Sequence, residues 1–444
     1  MQNFSSLEIQ YRDPSELQPN PENPRRHSQR QIKQICRSIA EFGFLVPVLV
    51  DDGGTLIAGH ARVLAAGRLG LTRIPTVKVS HLSAIQKTAF TIAENKLNEN
   101  AEWNHKLLGE QLKLLAESNI TCDGAEITGF APAEIDLLIE ELEIPNSDQR
   151  DAADEVPEIS SQAVSRVGDL WILGRHRLLC GSALEERSYQ KLLEDDRAAM
   201  IFADPPFNVR IRGHVSGLGK ICHREFAMAS GELDQPAFIE FLTCFLTHSV
   251  RFSKSGTVFD VCIDWRHVLE LTQASHAAGL SMLNIAVWVK SNPGMGSLYR
   301  SQYELVFVMK VGDGSHKNNI QLGKYGRGRS NVWNYPSAVT FSRTSDEGNL
   351  LKLHPTVKPV RLVADAILDC SSRNDVILDP FLGSGTTLVA AQRVGRRCYG
   401  IELDPLYVDT AVRRWQTFTG QQAILTDGNC CFESVAVQRS YRDE

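Results

Sequence analysis

Two short runs of this sequence combine residue types that could do chemistry. The first is Ala203-Asp204-Pro205-Pro206-Phe207-Asn208, which follows the apolar run AAMIF. That run reads as a buried strand. Proline gives no amide to a sheet ladder, so Pro205 and Pro206 stop the strand and stiffen the chain beyond it. A carboxylate, Asp204, and an aromatic face, Phe207, are thereby presented at the strand's end, where open α/β sheets bind their ligands. A strand-end turn with a capping Asp fits these residues as well, so the rest of the chain must decide.

The second run is DVILDPFLGSGTTLVAAQRVG. A strand over 376–378 enters Asp379-Pro380-Phe381-Leu382-Gly383-Ser384-Gly385, and a helix starts near Thr386. Glycines let the backbone turn tightly and a ligand approach, and the helix's free amides face the same place. No Lys follows as in a phosphate-binding P-loop, and Leu388 breaks G-x-G-x-x-G. Glu402 ends the next strand, 19 residues after Gly383. An acid at that offset is placed to accept hydrogen bonds from a ribose.

The elements needed to hold these residues are legible as alternation. Apolar strands (AAMIFAD, GTVFDVCI, LNIAVWVK, ELVFVMK, DVILDPF, RCYGIEL) alternate with helical patterns from Ala237 to Arg393. That order predicts an α/β fold with a doubly wound sheet. The N-terminal part reads as α+β: a helix with Ile32, Ile35, Ile39 and Phe42 on one face, stopped by Gly43, then two short strands around Asp51-Asp52-Gly53-Gly54. Between the two parts, residues 140–158 carry eight acids against Arg150 alone and read as a solvated linker. The expected domains are 1–145, a linker at 146–163, a second domain at 164–430 with a basic segment at 286–343, and a tail at 431–444.

Composition narrows the classes. A 444-residue chain is long enough for two or three cores, and 43% hydrophobic with 23% charged residues is ordinary for a globular protein. A net charge of −6 does not mark the whole molecule for a polyanion. The ten cysteines show no metal-ligand spacing, so no metal is expected and the thiols read as reduced. No apolar run reaches membrane-spanning length. A cytoplasmic protein with no membrane partner is the expectation.

Three motifs carry a resemblance. DPPF, HPTVKP (His354–Pro359) and DPFLGSGTT with GIELDP resemble, in order, the catalytic, pre-cofactor and cofactor motifs of DNA amino-methyltransferases in the beta arrangement. The resemblance spans about 167–420 and implies a Rossmann-like methyltransferase sheet with S-adenosyl-L-methionine as cofactor. It implies a catalytic set of Asp204, Pro205, Pro206 and Phe207. Asp204 and the Pro205 carbonyl would accept from the exocyclic amine, and Phe207 would stack on a flipped base. The implied cofactor set is Phe381, Gly383, Ser384, Gly385, Thr386, Glu402 and Asp404, with Asp379, Thr356 and Lys358 near the methionine end. Cytosine-N4 members often open the catalytic motif with Ser and adenine members with Asp or Asn, so Asp204 points to adenine N6. N4-cytosine methylation is the alternative. Members often carry Gly-Asp-Ser or Gly-Asp-Ala after the preceding strand. Here Gly181-Ser182-Ala183 lacks that acid, which would lie near the cofactor's adenine.

Double-stranded DNA is the expected substrate. Residues 286–343 hold eight Lys/Arg against Glu304 and Asp313, and 207–224 hold four against none. Arg210, Arg212, Lys324, Arg327 and Arg329 are the expected phosphate contacts. At the other end, PSELQPNPENPRRHS, IAGHARVLAAGRLG and IAENKLNENAEW resemble the ParB/sulfiredoxin-like domain. That resemblance implies a nucleotide site at Gly59, His60, Arg62, Glu94 and Asn95. A further alternative is therefore a ParB-like DNA- or nucleotide-binding protein whose methyltransferase half is inactive.

Overall fold

The structure is a computed structural model that describes residues 7–118, 127–143, 151–208, 231–291, 293, 298–324, 327–336 and 357–440. The chain forms two compact units, Met1–Glu143 and Ile144–Glu444.

In the first unit, strands β1 (Ile9–Arg12), β2 (Val48–Val50), β3 (Leu56–Ala58) and β4 (Ile74–Lys78) form a sheet ordered β1-β4-β2-β3. Only the β2–β4 pairing is parallel. The β2–β3 connection is the expected turn: Asp51 Oδ1 accepts from the amides of Gly53 and Thr55. Val48, Val50, Leu56, Ala66 and Ile74 make a small core under the helix His60–Arg68. Gly59 opens that helix at φ +97°, and a Cβ there would meet Val48 Cγ1 at 2.6 Å. Helices His105–Glu117 and Pro132–Glu143 close on a separate core of Leu108, Leu112, Ile135, Leu138 and Ile139.

The second unit is built on an eleven-stranded sheet among the described residues. Its strands are β5 (Leu170–Leu173), β6 (His176–Cys180), β7 (Ala198–Ala203), β8 (Ser253–Ile263), β9 (Leu280–Val289), β10 (Tyr303–Val311), β11 (Val332–Asn334), β12 (Val376–Asp379), β13 (Arg397–Glu402), β14 (Ile424–Leu425) and β15 (Cys430–Cys431). They are ordered β11-β9-β10-β8-β7-β12-β13-β6-β5-β14-β15. The central run β8-β7-β12-β13-β6 is parallel. Strand β7 alternates its side chains between two cores. Met200 and Phe202 pack with the helices Val360–Cys370 and Thr386–Arg393, and Ile201 and Ala203 pack with the helices Glu186–Leu193 and Gln235–Arg251. Both faces are covered, which is why these strands read as continuous apolar runs. The sheet is thus doubly wound, and its parallel strands all end on one edge.

Two segments differ from the sequence reading. Part of the acidic stretch is docked on the second unit instead of solvated. Asp151 pairs with Arg393, Ala153 is buried, its carbonyl accepts from Arg414 at 2.8 Å, and Asp154 Oδ1 accepts from the Val360 amide. The acids there meet cations and amides far along the chain, which composition cannot show. The expected tail also belongs to the fold, because β15 pairs with β14 and the helix Phe432–Ser440 buries Phe432 and Val435. Arg439 of that helix pairs with Asp169.

Candidate active site

The sheet's carboxyl edge gathers three acids from three adjacent strands: Asp204 just past β7, Asp379 at the end of β12 and Glu402 at the end of β13. One cleft beside them is lined by Pro205, Pro206 and Phe207 and by Phe381, Gly383 and Ser384. Thr386, Asp404, Lys358 and Tyr407 complete it.

The loop after β12 owes its shape to two left-handed glycines, Gly383 (φ +54°) and Gly385 (φ +85°). Gly385 stands at the N-cap of the helix Thr386–Arg393. It also abuts the neighbouring helix, since a Cβ there would lie 3.0 Å from Ala411 Cβ. Asp379 fixes the loop's start. Its Oδ1 accepts from the Phe381 amide at 2.9 Å and its Oδ2 from the Thr387 hydroxyl at 2.6 Å. Glu402 fixes its middle: Oε2 accepts from the Gly383 amide and Oε1 from the Asp404 amide, each at 2.8 Å. Burial pushes the Asp379 and Glu402 carboxyls up to about 7 against these hydrogen bonds. Phe381 stands edge-on to Phe245, with ring centroids 4.9 Å apart.

Asp204 is held differently. Its Oδ2 accepts from Lys358 Nζ at 2.6 Å, whereas its Oδ1 is buried with no hydrogen-bond partner among the described residues. Burial raises its carboxyl above the ordinary range, with Lys358 opposing and Glu304 adding to the shift. The Lys358 ammonium lies 5.7 Å from the Phe207 ring and 5.8 Å from the Trp288 ring. Asn208 (φ +52°) then turns the chain. Its side-chain oxygen accepts from the amides of Gly231 and Leu233, so it fastens 208 to the chain at 231–233. Gly181 and Ala183 also line the cleft, and the Ser182 hydroxyl accepts from the Leu184 amide.

Lys358, expected near the cofactor's methionine end, is found bridging Asp204 and Glu304. Glu304 itself was not among the expected site residues; the sequence showed it only as one acid in a basic segment. Its signal, a carboxylate opening the apolar strand β10, needed the cross-strand neighbours to be read. Thr356, Arg210 and Arg212 lie outside the described residues. Lys324 is exposed. Arg327 and Arg329, expected on DNA phosphates, are corrected by the structure. Arg327 pairs with Asp365 at 2.9 Å and Asp369 at 3.1 Å, and Arg329 pairs with the same two acids at 3.3 and 2.7 Å. Both guanidinium groups are largely buried, so their charges are spent inside the fold. Counting charge over 286–343 could not include acids supplied by the helix Val360–Cys370.

In the first unit the five expected residues Gly59, His60, Arg62, Glu94 and Asn95 line one cleft, joined by Arg25 and His27. His60 Nε2 and Arg62 Nε are buried there without a hydrogen-bond partner among the described residues, and burial lowers the proton affinity of both side chains.

Comparison with known proteins finds three family matches along the chain. Residues 198–413 match the DNA methylase family model, 1–96 the ParB N-terminal domain, and 107–167 the ParB-methyltransferase HTH domain. The type II methyltransferase M2.LlaDCHI of Lactococcus lactis subsp. cremoris is 30% identical over 240 residues, which is 50% of this chain and 85% of that protein. M2.DpnII of Streptococcus pneumoniae is 30% identical over 48% of this chain and 81% of its own length. M.HinfI of Haemophilus influenzae is 28% identical, over 53% and 67% respectively. Strand-end acids around a glycine loop, a DPPF turn beside them and this extent of identity lead to one conclusion: the chain belongs to the DNA methyltransferase family of these type II enzymes, fused to a ParB-like N-terminal domain.

Proposed function

We propose that this protein methylates adenine at N6 in double-stranded DNA, with S-adenosyl-L-methionine as methyl donor. The observation that carries the reading is Asp204 Oδ1, a buried acceptor without a partner among the described residues, on a side chain that lines the same cleft as the glycine loop. A buried polar atom left unpaired is costly, and such atoms cluster where a ligand completes them.

The donor set suits the cofactor. Asp204, Asp379, Glu402 and Asp404 give the cleft an acidic lining, fitted to ribose hydroxyls and to a cationic sulfonium and ammonium. Glu402 would take the ribose through the lone pairs its two backbone amides leave free. Phe381 and Gly383 would bound the rest. The cofactor, when bound, supplies a methyl group on a positively charged sulfur.

The protein's own work is on the amine. An exocyclic amine is a poor nucleophile because its lone pair is delocalised into the ring. Asp204 Oδ1 and the Pro205 carbonyl accept its two N–H groups, favour a more tetrahedral nitrogen and free the lone pair toward the methyl. Proline at 205 and 206 removes amide donors that would compete for Asp204. Phe207, which lines the same cleft, offers the face on which the extrahelical base stacks. A carboxylate at position 204, where cytosine-N4 members often have Ser, supports adenine.

Nucleoside mass spectrometry on DNA from a methylation-free host expressing the gene tests this. N6-methyladenine should accumulate with the wild type and vanish with Asp204→Ala. N4-methylcytosine instead would overturn the base assignment, and no methylated base from a folded, cofactor-binding protein would overturn the activity.

A further inference from the structure

Asp204 is one end of a four-membered chain of alternating charge. Lys358 Nζ lies 2.6 Å from Asp204 Oδ2 and 2.6 Å from Glu304 Oε1, and Glu304 Oε2 lies 2.8 Å from Lys290 Nζ. The four come from separate places: the end of β7, the turn before the helix Val360–Cys370, the start of β10 and the residue after β9. The Glu304 and Lys358 side chains are 7% and 4% exposed, which makes the pair a deliberate expense of the fold. Register explains the meeting. Glu304 lies opposite Trp288 on β9, and Leu305 lies opposite Ile263 at the carboxyl end of β8, so β10 delivers its acid to the ligand-binding edge.

We propose that Lys358 and Glu304 are positioning residues for methyl transfer: Lys358 ties down Oδ2 so that Oδ1 meets the amine, and Glu304, by sharing that ammonium, keeps Asp204 able to take up the proton the amine must lose. This rests on the methyltransferase reading above. As the nitrogen's lone pair forms its bond to the methyl carbon, the carbon–sulfur bond breaks and its electrons stay on sulfur. The positive charge passes to nitrogen, which then carries one proton too many. That proton goes to Asp204 Oδ1, turning the carboxylate into a neutral acid that later releases it to water.

The surrounding groups agree with that role. Facing Asp204 are Lys358, Glu304 and, beyond it, Lys290, with the Cys262 thiol of β8 and Asp379 of β12. Burial would raise Glu304, but Lys358 and Lys290 outweigh it and hold its carboxyl at about 2. Glu304 therefore stays ionised and divides the pull of Lys358. Lys358, for which burial is outweighed by its two carboxylates, stays protonated. A lone Lys–Asp pair would hold Asp204 as a firm anion and a poor proton acceptor.

The test uses the full-length enzyme in single-turnover methylation, read across pH, beside calorimetric cofactor binding. Glu304→Gln keeps the shape and removes the charge. It should lower the rate about tenfold at neutral pH and move the acid limb of the pH–rate profile down by about a unit, with cofactor affinity unchanged. Lys358→Met should move that limb up, so that rate lost at neutral pH returns in alkali. Lys358→Arg should restore the limb's position. An unmoved acid limb in a folded Glu304→Gln enzyme overturns the proposal. If that variant does not fold, an acid limb in Lys358→Met identical to wild type does the same. Failure of the methyltransferase reading would look different, with no methylated product even from the wild type.

Discussion

At the scale of residues, the site is a set of acids whose proton affinities differ by neighbour. Asp379 is buried and Glu402 half-buried, and both carboxyls are raised to about 7, whereas Glu304 is held at about 2. For Glu402 this has a measurable sign. Hydroxyl donors of a ribose stabilise the ionised carboxylate, so the bound state has a lower proton affinity than the free state and binding releases a proton. Cofactor affinity is thus expected to be full above pH 7 and to fall as pH drops through 7 toward the lower bound-state value. Calorimetry in buffers of differing ionisation enthalpy will show proton release near neutral pH, and Glu402→Gln should abolish both the release and the pH dependence. A pH-independent dissociation constant in the wild type would contradict the assignment. What the sequence revealed at this scale follows the same logic. Asp204, Asp379 and Glu402 were legible because each ends an apolar run, a position with a local signature. Glu304 and the true partners of Arg327 were not, because each is defined by a side chain supplied from another element: Asp365 lies 38 residues beyond Arg327.

At the scale of elements, the glycine loop is braced from behind by the stretch at 151–165. Arg414, 2% exposed, donates to the Ala153 carbonyl and also to the Ser384 carbonyl and Thr386 hydroxyl of the loop. Asp409 accepts from the amides of Val164 and Ser165 and ties the stretch's other end to the same helix, Pro405–Thr419. We therefore place the start of the catalytic unit at 151, not at 164. A chain beginning at Asp151 is expected to keep wild-type cofactor affinity. One beginning at Val164 loses the Arg414–Ala153 hydrogen bond and the Arg393–Asp151 ion pair, at about 1–3 kcal/mol for each lost bond. It should melt several degrees lower and bind cofactor more weakly. Equal melting and binding for the two chains would show the brace to be idle. The sequence reading found the right acids here and gave them to water, since a run of like charge carries no sign of the cations waiting elsewhere.

At the scale of the whole molecule, two units with separate cores follow one another in the chain, and that division was visible as a break in composition. The wound sheet was visible too, as alternating strand and helix patterns. Its order was not, because nothing in the period of a strand names its neighbour. That order has a consequence for how the molecule is made. Strand β12, from residues 376–379, sits between β7, which ends at Ala203, and β13. The β9–β10 hairpin, with β8 paired on the other side of β10, and the hairpin β5–β6 are local and can form early. They cannot be joined until β12 has left the ribosome, and until then β7 presents an open edge to other unfinished chains. Pairings across such separations are slow to find. Refolding from denaturant, followed by tryptophan fluorescence, should show a slow phase whose yield falls with protein concentration; rapid, concentration-independent recovery would refute this. The strand that carries the cofactor's loop is thus also the keystone of assembly, so a chain stopped short of it cannot linger as a half-built enzyme with an empty site and is left to chaperones and proteases.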